Sequence, residues 1–432
     1  MMQAYAEYKD SGVDWLGEIP AGWELTKLGS CLAPFSEKNH ADLPLLSITR
    51  ELGVIERDVE NQDTNHNYIP DDLSGYKLLK KGQFGMNKMK AWQGSYGVSP
   101  FTGIVSPAYF MFDFTKEIDP DFFHVAIRSK LYVSFFGSAS DGVRIGQWDL
   151  SKPRMKEIPL ALPPLPEQTA IAGFLDDKTA KIDELVGIKR RQIALLGERK
   201  QILIQNAVTK GLNPNAPLKD SGVDWIGNIP AHWEVKRLAS MGRFSKGGGF
   251  SKADLAEEGV NAVLYGDIYT QYDFVIDRAV RCISPAVAEG AAKLVQNDLL
   301  FTGSGETKED IGKCVVFRSQ ENTVAGGDVI IFRQAVCDPL FLSYSLNTNG
   351  AIEEKAKSSK GEIIVHTYGS KLREIFIPIP PKTEQESIAE FIWDGCEKIN
   401  AAISIKQNQI TKLNEYKTTL INAAVTGKIK VA

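Results

Sequence analysis

Apolar residues recur every three or four positions along Ile182, Val186, Ile193, Leu196 and Leu203, with Lys189 and Lys200 completing the series. The alternation of 4 and 3 is a heptad seam, which predicts a long helix that packs against a partner helix. The same series returns as Ile399, Ile403, Lys406, Ile410, Leu413, Lys417 and Leu420, each displaced by 217 residues (399 minus 182). Because both lysine interruptions recur, the two copies are expected to pair with each other. A seam lysine weakens the pair but fixes its alignment, since a shifted pairing would bury a charge against an apolar side chain. The stretch from Ile182 to Leu203 would span ~32 Å at about 1.5 Å per residue, close to the ~34 to 36 Å between two half-sites on one face of a DNA duplex.

Each seam is preceded by an apolar run that ends in prolines, Glu157 to Pro166 and Ile375 to Pro381. Proline cannot continue a strand ladder and pre-sets a helix start, so the helices are expected to begin at Glu167-Gln168 and Glu384-Gln385. Gly211 with Pro214, and Gly427, mark their ends. A second repeat lies upstream: residues 10–30 read DSGVDWLGEIPAGWELTKLGS and residues 220–240 read DSGVDWIGNIPAHWEVKRLAS, displaced by 210. The chain is therefore two tandem halves of one plan, a fused pseudo-dimer with an expected pseudo-twofold axis. Trp15, Trp23, Trp225 and Trp233 are expected to anchor these extended segments on a core.

Between anchor and helix, each half carries short β-rich runs punctuated by Gly, Pro, Asn and Asp. They are Pro44 to Thr49, Gly103 to Ser106 and Ala108 to Phe112 in the first half; Asn261 to Tyr265, Asp298 to Phe301, Lys313 to Phe317 and Asp328 to Phe332 in the second. Helical stretches at Asp119 to Phe136 and Asp338 to Lys357 make each lobe α+β, of mixed α/β content. The expected organisation is a first lobe at 1–160 with its anchor at 8–30, a central helix at 163–212, a second lobe at 218–378 with its anchor at 220–240, and a C-terminal helix at 380–428. Outside the anchors the lobes share little sequence, which suggests one frame holding two readers with different targets.

At 432 residues, 43% hydrophobic and 24% charged, the chain has a globular composition suited to two or three domains. No run approaches the ~18 to 20 apolar residues of a membrane span, and the first residues are not a signal sequence, so a cytoplasmic location is expected. Cys31, Cys282, Cys314, Cys337 and Cys396 are scattered, which argues against disulfides and a zinc site. The net charge of −4 opposes unaided DNA binding, yet Leu73 to Phe112 contains no acid and holds Lys77, Lys80, Lys81, Lys88 and Lys90. A second acid-free window, Val235 to Ala253, holds Lys236, Arg237, Arg243, Lys246 and Lys252. Two basic windows in an acidic chain suit a nucleic-acid reader whose other surfaces face protein.

Catalytic motifs are missing from the sequence. Gly303 to Lys308 lacks a dinucleotide-loop pattern, and Gly312-Lys313-Cys314 lacks the first glycine and the Ser/Thr of a phosphate loop. His40, His66, His124, His232 and His366 show no metal-binding spacing, and neither a nucleophile elbow nor an amino-methyltransferase tetrapeptide occurs. Two segments of the first lobe instead interleave amide, cationic and aromatic side chains. They are Asn87, Lys88, Lys90, Trp92, Gln93, Ser95 and Tyr96, and Arg144, Gln147 and Trp148. In the second lobe the candidates are Lys246, Ser304, Glu306, Thr307 and Lys308, with Lys360, His366, Ser370 and Lys371. Such groups can bond base edges and phosphates, and aromatic rings can pack on sugar or base.

The GVDWLGEIPxxWE segment, the LPPLPEQTAIAGFLD and IPPKTEQESIAEFI transitions and the duplicated plan resemble the specificity subunit of Type I restriction-modification systems. The resemblance covers nearly the whole chain. It implies two target recognition domains separated by two long helices in an antiparallel coiled coil, each domain reading one part of a split, asymmetric DNA sequence. It also implies a chain without catalytic groups or cofactor of its own. Two modification subunits would dock on the helices and carry S-adenosylmethionine and adenine methylation, with motor-nuclease restriction subunits joining for cleavage. The other readings are a self-contained nuclease or methyltransferase, and a coiled-coil scaffold that never touches DNA.

Overall fold

The computed structural model describes residues 3–58, 69–144, 147–305, 311–357 and 365–431. The chain forms two compact units, Met1–Lys189 with Asn408–Ala432, and Arg190–Gln407. Two helices dominate, Leu165–Lys210 and Lys382–Val425. Each gives one part of its length to each unit. None of the seam residues is exposed; Ile182, Val186, Ile399, Ile410 and Leu420 are buried and the others, all four lysines included, are half-buried. Among the described residues no helix is long and apolar enough to cross a membrane.

In the first unit a four-stranded antiparallel sheet runs in the order Leu32–Phe35, Phe110–Phe114, Phe84–Met86, Tyr96–Val98. Its anchor strand Glu24–Lys27 pairs antiparallel with Pro159–Leu162, the strand that leads into the central helix. Trp23 is 1% exposed, and Trp15 lies on the Phe135 ring at 3.8 Å between centroids. Gly427 (φ +71°) ends the C-terminal helix against this anchor, where a Cβ would stand 2.3 Å from Pro20 Cδ. Only glycine combines that approach with a left-handed backbone. The expected helix at Asp119 to Phe136 is two helices, Pro120–Ile127 and Lys130–Ser138, because Ser129 turns to an extended backbone (ψ 149°). Asp183, early in the central helix, binds Lys417, late in the C-terminal helix, at 2.6 Å.

The second unit has two five-stranded sheets. One runs Gly242–Lys246, Val329–Gln334, Leu299–Thr302, Cys314–Phe317, Val275–Ile276; the other runs Leu255–Ala256, Arg281–Ile283, Val260–Val263, Thr323–Ala325, Ala292–Lys293. Each includes one parallel pair. The strand expected over Asn261 to Tyr265 ends at Val263, because the Asp267 carboxylate accepts the Leu264 N–H and starts a helix at Tyr265. The anchor repeats the first unit: Glu234–Arg237 pairs with Phe376–Ile379, Trp233 is fully buried, and Gly211 (φ +71°) ends the central helix beside it. Ile204, Val208, Ile388 and Ile392 from the two helices share one apolar cluster with Trp233, Phe341 and Tyr344. Lys200, late in the central helix, bonds Asn400 Oδ1 at 3.1 Å, early in the C-terminal helix, and pairs with Asp273 of the lobe. Both units thus hold an antiparallel helix crossing.

The duplicated Glu-Gln at the helix starts has a structural cause. Gln168 is 1% exposed; its amide donates to Pro163 O (2.8 Å) and accepts from Asp119 N (2.9 Å). Gln385 is 2% exposed and does the same with Pro380 O (2.8 Å) and Asp338 N (2.7 Å). Asp119 and Asp338 are the N-caps of the first lobe helix in each unit. One glutamine therefore ties the turn before a long helix to the start of a lobe helix. Gln385→Ala strands a buried N–H and a buried carbonyl, a loss expected to cost about 1 to 3 kcal/mol. The midpoint of urea unfolding checks this, and a midpoint equal to that of the parent chain refutes it.

Candidate nucleic-acid interface

In the first lobe the segment from Asn87 to Ser95 connects two neighbouring sheet strands and contains a short 3-10 turn, Ala91–Gln93. Gly94 (φ +92°) closes that turn. Asn87 is 6% exposed and shapes the loop, accepting from Met89 N (3.2 Å) and donating to Tyr109 Oη (3.2 Å). Ser95 is buried, and Tyr96 packs fully buried on Phe136 at 4.3 Å between centroids. Burial pushes the Tyr96 phenol pKa up. The structure therefore corrects the expectation for Asn87, Ser95 and Tyr96, whose side chains are enclosed; Lys88, Lys90, Trp92 and Gln93 reach the surface.

The second candidate segment crosses this loop. Strands Ser140–Arg144 and Gln147–Leu150 form a hairpin in which Arg144 and Gln147 face each other in register; the side chains of those two residues lie outside the described residues. Leu150 N donates to Lys88 O (3.1 Å), Lys88 binds Asp149 at 3.2 Å, and the Trp92 and Trp148 rings are 5.0 Å apart. Two segments separated in sequence thus become one surface.

The second lobe repeats the crossing. Strand Ser304–Gly305 pairs with Val365–His366, and Thr367 N donates to Gly303 O at 3.0 Å. Ser304 is 3% exposed and shares a 2.9 Å hydrogen bond with His366 Nδ1, while Tyr269 donates its hydroxyl to Ser304 O. Ser304 therefore positions His366, which is half-exposed. Lys246, Ser370 and Lys371 are exposed; Glu306, Thr307, Lys308 and Lys360 lie outside the described residues. The loop that starts at Gly303 returns through Gly312 (φ +71°). There the buried Lys355 ammonium donates to Gly312 O (2.6 Å) and Leu346 O (2.7 Å), and burial lowers its pKa to about 8. Sequence reasoning missed Lys355, since a lysine in a charged helix reads as solvated.

The acid-free windows are not acid-free in space. Lys80 lies 3.4 Å from Glu37 and Lys88 pairs with Asp149; in the second lobe Lys236 pairs with Glu234 and Arg237 with Glu374. Charge along the chain therefore overstated the net positive surface.

A family model for the Type I restriction modification DNA specificity domain matches residues 230–415. A type I restriction enzyme MjaVIII specificity subunit of Methanocaldococcus jannaschii is 25% identical over 447 residues, which span 100% of this chain and 98% of that one. Among solved structures, a chain from work on complex assembly and conformational transition of the type I R-M system superposes with a TM-score of 0.70 at 14% identity. That match covers 94% of this chain and 98% of the other. The HsdS subunit from Thermoanaerobacter tengcongensis superposes at 0.53 with 16% identity, covering 95% and 98%. With anchors and helix entrances repeated on this frame, the chain is similar over its whole length to Type I restriction-modification specificity subunits.

Proposed function

We propose that this subunit recognises a split, asymmetric DNA sequence, each lobe reading one half with the loops at its crossed segments. On this reading the subunit is non-catalytic. The observation that carries the reading is the repeated crossing: Lys88 O with Leu150 N in one lobe, Gly303 O with Thr367 N in the other. One backbone device is kept while the side chains around it differ, as two readers with unrelated targets require. In the first lobe Lys88, Lys90, Trp92 and Gln93 face the duplex, with Arg144 and Gln147 from the hairpin. In the second, Lys246, His366, Ser370 and Lys371 do so, with Glu306, Thr307, Lys308 and Lys360.

The paired helices set the distance between half-sites and dock two modification subunits, which carry S-adenosylmethionine and methylate adenine in the cytoplasm. Motor-nuclease subunits join the same assembly for restriction. Methylation-sensitive sequencing of a genome carrying the whole system tests this, since a split methylated motif with two half-sites is expected. A continuous motif, or none, counts against it.

Two further outcomes are expected. Exchanging residues 30–160 for the matching lobe of another specificity subunit changes one half of the target and leaves the other; an unchanged target refutes modular reading. Inserting about one helical turn near Lys200 alters the preferred gap between half-sites or abolishes binding. A gap that stays the same means that the helices do not set it.

A further inference from the structure

Beside the crossed segments each lobe carries a second group of cations, of which Lys77, Lys246 and Lys252 lie in an acid-free window. In the first lobe Lys38 and Lys77 face each other across a single antiparallel bridge. Lys152 stands over the Phe110 ring, Nζ 3.9 Å from its centroid, and Lys77 Nζ donates to Tyr109 O at 2.8 Å. Burial, with the charges of Lys152, Lys38 and Lys88, holds the Lys77 pKa below the usual lysine range. Lys38 and Lys152 are exposed, and among the described residues neither they nor Lys77 form an ion pair. The neighbouring acids Glu37 and Asp149 are paired with Lys80 and Lys88.

In the second lobe Lys246 and Arg373 line one groove of about 320 Å³, with Phe244, Tyr368 and Asp328. An adjoining recess shares Lys246 and adds Lys252 and Arg281, the latter bound to the buried Asp267 at 3.3 Å. Among the described residues Lys246, Lys252 and Arg373 form no ion pair. Tyr368 is 57% exposed.

The two groups lie on corresponding elements of the two lobes. Both lobes order three strands identically: outer, middle, and the strand that runs into the crossed loop. These are Leu32–Phe35, Phe110–Phe114, Phe84–Met86 in one and Gly242–Lys246, Val329–Gln334, Leu299–Thr302 in the other. Lys38 lies just beyond the outer strand of the first lobe, and Lys246 ends that of the second. Lys152 opens the short helix Lys152–Lys156 before the closing strand, and Arg373 caps the short helix Gly369–Leu372 before its counterpart. Gathering cations in excess of the acids around them, here Asp328 in the second lobe, is unfavourable in a free protein and favourable once a polyanion arrives. A duplex backbone is the polyanion adjacent to loops that read bases.

Resting on the DNA-reading function above, we propose that Lys38, Lys77 and Lys152 in the first lobe, and Lys246 and Arg373 in the second, are equivalent phosphate clamps. They grip the backbone beside each half-site and fix the register of each lobe without reading sequence.

The test uses the full chain assembled with its modification subunits, bound to a labelled target duplex and to a labelled mixed-sequence duplex over a series of salt concentrations. Each lost phosphate contact lowers the slope of log K against log salt by about 0.9. Lys38→Gln with Lys152→Gln, and separately Lys246→Gln with Arg373→Gln, are each expected to flatten the slope by about 1.8. The ratio of target to mixed-sequence affinity stays as in the parent for Lys38→Gln with Lys152→Gln, and Lys152→Arg keeps the parent slope. These side chains are exposed, so thermal melting is expected to match the parent. Parent-like slopes in both double variants overturn the clamps, and so does a slope that falls for one lobe alone. If the parent complex itself binds DNA without salt dependence, the DNA-reading function fails; if the parent behaves as expected and only the variants do not, the clamps alone fail.

Discussion

Everything that depends on how a lobe is joined to its long helix passes through one buried side-chain amide. Gln168 and Gln385 each saturate a proline carbonyl and the N–H of a helix-capping aspartate. A glutamine is suited to this because it offers donors and an acceptor on one planar group. A glutamate in its place would bring a charge into a buried site and have no proton to donate to the proline carbonyl. The turn before the helix and the first helix of the lobe are thereby held in one arrangement, and the apolar clusters can pack on a fixed frame. The preceding glutamates do related work outside the core: Glu167 accepts from the Tyr5 hydroxyl, and Glu384 meets His232 at 2.8 Å. The second unit thus pins its anchor segment to its helix entrance, and the first unit pins the residues just before its anchor.

The lysines within the seams follow the same economy of groups. Lys200 is half-buried, with its charge answered by Asp273 from the lobe, by Asn400 on the facing helix and by the Phe274 ring at 5.3 Å. Lys417 is answered by Asp183 on the facing helix. Sliding either helix would remove these partners and leave the Lys200 and Lys417 charges partly desolvated. These two seam lysines therefore give up some packing energy and specify alignment, and Lys200 also specifies where the second lobe sits on its helix.

Much of this frame was legible in the sequence because it is written in periodicity and in residues with narrow conformational uses. The heptads, the prolines before each helix and Gly211 and Gly427 after it mark the observed helix bounds closely, and one tryptophan of each anchor, Trp23 and Trp233, is buried while Trp15 and Trp225 are half-buried. The reading surface was less legible. Asn87 has the chemistry of an adenine reader, but that chemistry also builds turns, and here its amide is consumed by Met89 N and Tyr109. The lysines of the acid-free windows looked uncompensated because their partners, Glu37 and Asp149, are distant in sequence and close in space. Lys38 and Lys152 escaped notice for the opposite reason: acids flank them along the chain, and in the fold Glu37 and Asp149 pair with Lys80 and Lys88 instead. The second sheet of the second lobe contains two-residue strands, too short to carry a period.

Recognition surfaces must diverge while the frame that presents them persists, and the crossings show how both demands are met. In each lobe the two reading segments are joined through backbone groups, Leu150 N to Lys88 O and Thr367 N to Gly303 O. A backbone hydrogen bond is indifferent to the side chain it carries, so the loops can change their readers without losing the joint. Side-chain supports around the joint are free to differ, and they do: an ion pair and two tilted tryptophans in contact in the first lobe, a serine–histidine bond and a buried lysine in the second. Stability is supplied by the anchors, the glutamines and the helix clusters. The crossed loops therefore need only enough local order to present their side chains, which leaves their identities available for discrimination among bases.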